Sequence, residues 1–496
     1  MKKKRFVLNF VTSFGCQIVN LLCGFILPQL ILAAYGTEIN GLVSSITQFL
    51  TVVSLTEFGM TAVVQSSLYG ALAGNDENEI SKILTSSSRF FGKIGRILVV
   101  YVVALSAIYP VLVHTNFDFG FVSTLVIILS INSIAQYFLG ITNDQLLSAD
   151  QHAYITSATS MTTTILNTVG CYVVIRFGFG VHAVKLTTAL IFLIRPIVST
   201  IYVRRHYRIN WHIKYETEPI KQKWNGVSQH IAYYVFSSTD VIVLTLFSTL
   251  ENVSIYSVYT LILNGLKQLC SLFENGIKPL LGESWAKHDL EALKRYFSLY
   301  ELLMHLGSIF VFGTASSLIV EFVSIYTSNV TDANYIVPGF AMMITIAYAA
   351  LNIRNPYNTL IQAVGYYKQT QFNYIIAAII NIIVSICMVY RFGLIGVAVG
   401  TLIAASYQDI WQAVYMYKNV LDFPRTRLIK LILCDAICFI MGKLVTGLLV
   451  FNITSYVDWV LAAVPVSLTW MIIILFCAFL VFREEMREFL AIIRRK

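Results

Sequence analysis

Charge is what this sequence has least of. Only 12% of its 496 residues are Asp, Glu, Lys or Arg, against roughly 25% in an ordinary soluble domain. That scarcity excludes a water-exposed surface over most of the chain. Long polar stretches are missing too. The longest runs from Arg204 to Lys223, too short to fold as a soluble domain. No glycine-rich phosphate loop and no His-Glu-x-x-His occurs, which argues against a P-loop ATPase and a zinc hydrolase. None of the eight cysteines forms a Cys-x-x-Cys pair, and all eight fall inside apolar segments, where they read as small packing residues.

What remains is apolar. Hydrophobic residues make up 57% of the chain and the mean hydropathy is +0.71. Runs of 18 or more apolar residues recur as far as Phe482, the pattern of membrane helices. Backbone polar groups in lipid must be satisfied within each segment, so the chain is expected to be an all-α membrane protein. The basic start Met1–Arg5 resembles a signal peptide, but the apolar run continues past Pro28 with no small-x-small cleavage site, so a retained first helix is expected.

Polar punctuation predicts about fourteen transmembrane helices, among them a second near 40–69, a sixth near 183–204 and a tenth near 334–363. If the N-terminus is inside, twenty-seven of the 35 basic residues fall on inside segments, which supports an even helix count with both termini cytoplasmic. The net charge of +9 therefore reflects topology. Spread over seven short loops, it suits anionic lipid headgroups and forms no nucleic-acid surface.

A weak internal repeat is present. Arg176-Phe177-Gly178 recurs as Arg391-Phe392-Gly393, Leu146-Leu147-Ser148-Ala149 resembles Leu360-Ile361-Gln362-Ala363, and Glu57-Phe58-Gly59 matches Glu274-Asn275-Gly276. Three matches in the same order predict two pseudo-symmetric six-helix halves plus two C-terminal helices. The expected boundaries are 1–204, a cytoplasmic linker at 205–223, a second bundle at 224–418, and helices thirteen and fourteen with a tail at 419–496. Repeats of this kind place a substrate between halves that rock.

Several charges sit at membrane depth, where they ordinarily face a bundle interior or an aqueous cavity. Asn264, Lys267, Ser271, Glu274 and Lys278 are spaced 3, 4, 3 and 4, so they share one helical face. Arg354, beside Asn355 and Pro356, combines a kink with a guanidinium suited to phosphate. Arg195-Pro196 has similar chemistry. The plainer alternatives are an ion pair within the bundle and carbonyl capping at the kink. Asp240, after Ser238-Thr239, suits Na⁺ or a proton, or a structural hydrogen bond. Asp435 and Lys443 are expected to pair.

Basic residues followed by Asn9, Ser13 and Asn20 in the first helix, Thr239-Asp240-Val241-Ile242 in the seventh, and Leu146 through Gln151 to Tyr154 after the fourth resemble the polysaccharide-transporter (Wzx-type) flippases. These belong to the multidrug/oligosaccharidyl-lipid/polysaccharide exporter superfamily, and the Gram-positive capsule branch looks nearest. The resemblance spans essentially the whole chain. It implies translocation of an undecaprenyl-pyrophosphate-linked oligosaccharide across the bacterial cytoplasmic membrane, no cofactor, and a polysaccharide polymerase and export machinery as partners. It further implies that Lys267, Arg354, Arg195, Glu274, Lys278 and Asn355 line a cationic substrate cavity. Asn373, Asn381 and Thr401 would complete an ion-coupling site at Asp240. A multidrug or organic-cation antiporter of the same superfamily is the nearest alternative. A membrane glycosyltransferase or polysaccharide polymerase needs acids on sizeable outer loops, which are short here, so no enzyme is expected.

Overall fold

The computed structural model describes residues 2–52, 58–113, 115–220 and 238–487, and these contain helices and no strand. Their order is α1 (Lys2–Thr51), α2 (Phe58–Ala73), α3 (Glu77–Leu112), α4 (Phe119–Ala135), a π-turn (Gln136–Gly140), α5 (Ile141–Ala149), α6 (Ala153–Arg176), α7 (Val181–Phe192) and α8 (Ile194–His206). There follow α9 (Ser238–Phe247), α10 (Leu250–Ala286), α11 (Leu290–Tyr326), α12 (Pro338–Ile353), α13 (Asn355–Val364), α14 (Tyr367–Phe392), α15 (Leu394–Met416), a second π-turn (Tyr417–Leu421), α16 (Arg425–Thr446) and α17 (Tyr456–Val481).

Helix starts are written locally. Asp76 accepts from the backbone nitrogens of Asn78 and Glu79 at 3.0 Å and opens α3. Asp289 opens α11 through Ala292, and Ser455 with Asp458 forms a capping box on α17. Among the described residues, nine helical segments are long and apolar enough to cross a membrane. On α17, Val457, Leu461, Ile472 and Leu480 are each about two-thirds exposed, a surface that only lipid would solvate.

Some expected spans are divided. The tenth breaks at Arg354 into α12 and α13, because Pro356 cannot donate to the preceding turn. The sixth breaks at Leu193, three residues before Pro196. Helix α1 holds the first expected helix and the start of the second, divided by a kink at Gly36, whose φ of 83° lies where side chains are strained, and α2 holds the end of the second. The Arg-Phe-Gly repeat has a shared local meaning: it ends α6 and α14, with Gly178 at φ 77° and Gly393 at φ 53°.

The chain divides into two compact units, Met1–Tyr234 with Thr249–Ser254, and Val235–Ser248 with Ile255–Lys496. In the first, Leu42, Ile46, Phe91, Leu98, Val122 and Leu146 centre the core. A polar seam joins α1 to α6. Asn9 accepts from the Tyr154 backbone nitrogen at 2.7 Å, Ser13 meets Ser157 at 3.2 Å, and Thr164 donates to Asn20 at 3.0 Å. The first-helix polar residues behind the family resemblance therefore hold helices together. In the second unit, α14 and α15 approach through Ala377, Ala378, Ala404 and Ala405. A Cβ on Gly400 would come within 2.9 Å of the Ser385 backbone nitrogen. The terminal pair α16–α17 packs on α11 around the fully buried Trp470, which fills the space left by Gly313 and Gly442.

Candidate functional site

Within the second unit, four helices converge on Asp240. It sits near the start of α9 and is 4% exposed. Tyr256 of α10 donates to its carboxylate at 2.7 Å, Thr401 of α15 at 2.5 Å, and the Asn381 amide of α14 at 3.3 Å. Asn381 also reaches Thr401 at 3.1 Å. Its own Oδ1 is buried and accepts no hydrogen bond. The cluster thus offers a carboxylate, two hydroxyl oxygens and an uncommitted amide oxygen, a donor set that fits a hard monovalent cation such as Na⁺. Sequence reasoning missed Tyr256.

Asn373 is not part of this group. It lies eight residues before Asn381 on α14, about 12 Å along the axis, and accepts from Gln412 at 3.1 Å. Two turns are too far for one ion to bridge.

The cationic-cavity residues scatter in character. Arg354, at the α12–α13 break, is 2% exposed; its guanidinium donates to Gln408 and lies within electrostatic reach of Asp409. Asn355 is buried and donates to Asn352 at 3.2 Å, which in turn donates to Ser308 at 2.7 Å. Lys267 on α10 is half-buried, with no hydrogen bond or ion pair among the described residues. Lys278 is exposed and donates to Gln362 of α13 at 2.5 Å. The side chain of Glu274 lies outside the described residues.

Arg195 belongs to a different place, inside the first unit. It stacks over Phe192 at 4.0 Å and donates to Thr163 at 2.7 Å and Thr164 at 2.9 Å. It lines a polar cavity of 450 Å³ with Asn132, Gln136, Asp144, Ser160 and Ser199. Asp144 accepts from Gln136 at 2.8 Å and Ser199 at 2.6 Å. The sequence reading passed over Asp144; an acid near the end of an apolar span was the available signal.

The expected Asp435–Lys443 pair is corrected. Asp435 meets His305 of α11 at 2.6 Å, while Lys443 donates to the Ser316 carbonyl at 3.0 Å. Eight residues separate Asp435 from Lys443, two full turns, so their side chains cannot meet along one helix. Also unforeseen was Arg427 of α16, which reaches the fully buried Glu301 of α11 at 2.7 Å and Glu485 at 2.9 Å.

Helices of lipid-spanning length, broken at prolines and holding charge at membrane depth, define a polytopic membrane protein. No family model and no curated protein sequence matches the chain. Solved structures do. The lipid II flippase MurJ, in an inward closed conformation, aligns with a TM-score of 0.71 at 15% identity, covering 94% of this chain and 98% of that one. An inward-facing multidrug resistance MATE family transporter of the MOP superfamily gives 0.61 at 12%, covering 83% and 98%. The Vibrio cholerae MATE transporter VcmN in its bent form gives 0.56 at 12%, covering 85% and 97%. The chain carries the fold of these solved proteins, an all-α membrane architecture.

Proposed function

We propose that the chain is a flippase carrying an undecaprenyl-pyrophosphate-linked oligosaccharide from the cytoplasmic to the outer leaflet of the bacterial cytoplasmic membrane. It works by alternating access between two six-helix halves, with both termini in the cytoplasm and a cation gradient as driving force. It serves a polysaccharide polymerase and export machinery for capsule or exopolysaccharide.

The observation that carries this reading over a drug exporter is the terminal pair α16–α17, built into the second unit through Trp470, Arg427 and Glu301. The likeness to the lipid II flippase extends over 94% of this chain, against 83% and 85% for the two multidrug transporters. Drug exporters of this fold usually stop at twelve helices. Arg195 and Lys267 are suited to an anionic headgroup. Attraction between unit charges 4 Å apart rises from about 1 kcal/mol in water to about 4 at an effective dielectric of 20. Asp240 supplies the coupling site, with Na⁺ held by Asp240, Thr401, Tyr256 and Asn381.

Proteoliposomes carrying the purified protein and a lipid-linked oligosaccharide test this, with an impermeant glycosidase reading the outer pool. An imposed Na⁺ gradient should speed translocation. Asp240→Asn should abolish the gradient's effect while basal exchange and protein yield persist, and Asn373→Ala should keep it. Efflux of a cationic dye without movement of the sugar lipid would move the assignment to a multidrug antiporter.

A further inference from the structure

A second group of buried charges lies on helices of the same unit as Asp240 and plays no part in the reading above. His305 of α11 is 1% exposed and Asp409 of α15 is 7% exposed. Asp435 of α16 holds His305 Nδ1 at 2.6 Å. All three line one cavity of 330 Å³, whose remaining walls include Ile309, Ala349, Ile353 and Phe439. Two polar atoms of these side chains are left over. His305 Nε2 and Asp409 Oδ1 are both buried and neither has a hydrogen-bond partner.

Orphaned polar atoms at this depth are costly, and a polar-ended cavity of this size has room for water. Water between His305 Nε2 and Asp409 Oδ1 would join Asp435, His305 and Asp409 into one chain across three helices. The other charges facing the group are accounted for. Arg354 at the α12–α13 break and Glu301, one turn before His305 on α11, lie within electrostatic reach of it. Cys434 of α16 and Tyr357 of α13 are the remaining titratable neighbours. Glu301 is already matched by Arg427 at 2.7 Å and Tyr417 at 2.5 Å. That leaves Asp409 and Asp435 against Arg354 and a histidine. With His305 neutral the group carries one uncompensated negative charge, and one added proton cancels it. A low-dielectric interior favours the cancelled state. No cluster of His, Cys, Asp and Glu among the described residues is arranged for a metal ion.

We propose that His305, Asp409 and Asp435 form a proton-binding site in the membrane interior of the C-terminal unit, separate from the cation site at Asp240. The proton moves by breaking an O–H bond at Asp409 and forming an N–H bond at His305 Nε2 through the intervening water, or in reverse. Thr401 and Asp409 lie eight residues apart on α15, about 12 Å along the axis, so one rigid helix carries a ligand of each site. The inference does not depend on which substrate is carried.

Infrared titration of the full-length protein in lipid nanodiscs tests it without any substrate. On acidification the wild type should take up one proton at this group and develop a protonated-carboxyl band. Asp409→Asn should delete that band. His305→Gln should move its midpoint at least tenfold in proton concentration. Asp240→Asn should leave it in place. If Asp409→Asn does not fold, Asp409→Glu serves instead, since it keeps the proton but moves the band. Absence of the band in the wild type, or its persistence unchanged in folded Asp409 variants, overturns the proposal.

Discussion

A cation in a low-dielectric interior is held either by fixed partners or by a wet cavity, and Lys267 and Arg354 divide along that line. Arg354 is enclosed, with Gln408 and Asp409 around its guanidinium. Lys267 is half-buried, with no partner among the described residues, and in the proposed function its charge meets the ligand. Reversal should therefore separate the two. Lys267→Glu should abolish sugar-lipid export with the protein at normal level in the membrane, and Lys267→Arg should retain more activity than Lys267→Gln. Arg354→Glu puts a third acid beside Asp409 and should lower the amount of folded protein several-fold, a loss that breaking a buried pair makes reasonable at roughly 3–5 kcal/mol. Quantitative membrane blots alongside the export assay distinguish these outcomes. Normal export by Lys267→Glu would remove Lys267 from the substrate path. The sequence marked both residues through their depth in apolar runs. It could not separate them, because the difference lies in Gln408 and Asp409, which come from a helix more than fifty residues away.

At the scale of the element, the terminal pair is an addition that needs fastening, and Arg427 is the fastening. Its guanidinium holds Glu301 of α11 and Glu485, and also donates to the Ser298 carbonyl at 3.1 Å. Removing it leaves Glu301, fully buried, with the Tyr417 hydroxyl as its hydrogen-bond donor among the described residues. Arg427→Met should therefore cost roughly 3–5 kcal/mol and lower the thermal midpoint in detergent. The double variant Arg427→Met with Glu301→Gln should recover most of the loss, since it removes the stranded charge. If the double variant is no more stable than the single one, the pair is not what fastens α16 to α11. Elements were the most legible level in the sequence. Apolar run length placed the spans, Pro356 announced the α12–α13 break, and Arg-Phe-Gly marked two equivalent helix ends. Side-chain partnerships between elements were legible only where chemistry was scarce. Asn381 and Thr401 were grouped with Asp240 through the family resemblance and do meet it, whereas Asn373, grouped on the same ground, lies two turns away and meets Gln412. His305 escaped notice because its partner is 130 residues distant.

For the whole molecule, the distribution of Lys and Arg predicts the orientation in the membrane through the positive-inside rule. The segment after α8 is rich in Lys and Arg: Arg204, Arg205, Arg208 and Lys214 lie within eleven residues, and Lys214 is exposed. The turn after α11, from Thr327 to Asn334, has no basic residue, and Ser328 is exposed. Each retained Lys or Arg near anionic headgroups is worth about 1 kcal/mol, so four of them outweigh any preference of the short turn. The first segment is therefore expected in the cytoplasm and the second outside. Single cysteines at these two positions, on a background with the eight native cysteines replaced, read this directly. An impermeant maleimide added to intact cells should label Ser328→Cys and leave Lys214→Cys unlabelled until the membrane is opened. Labelling of both would mean that one span between them does not cross. Labelling of position 214 alone would invert the whole molecule and send the proposed cargo inward, which no export machinery could use.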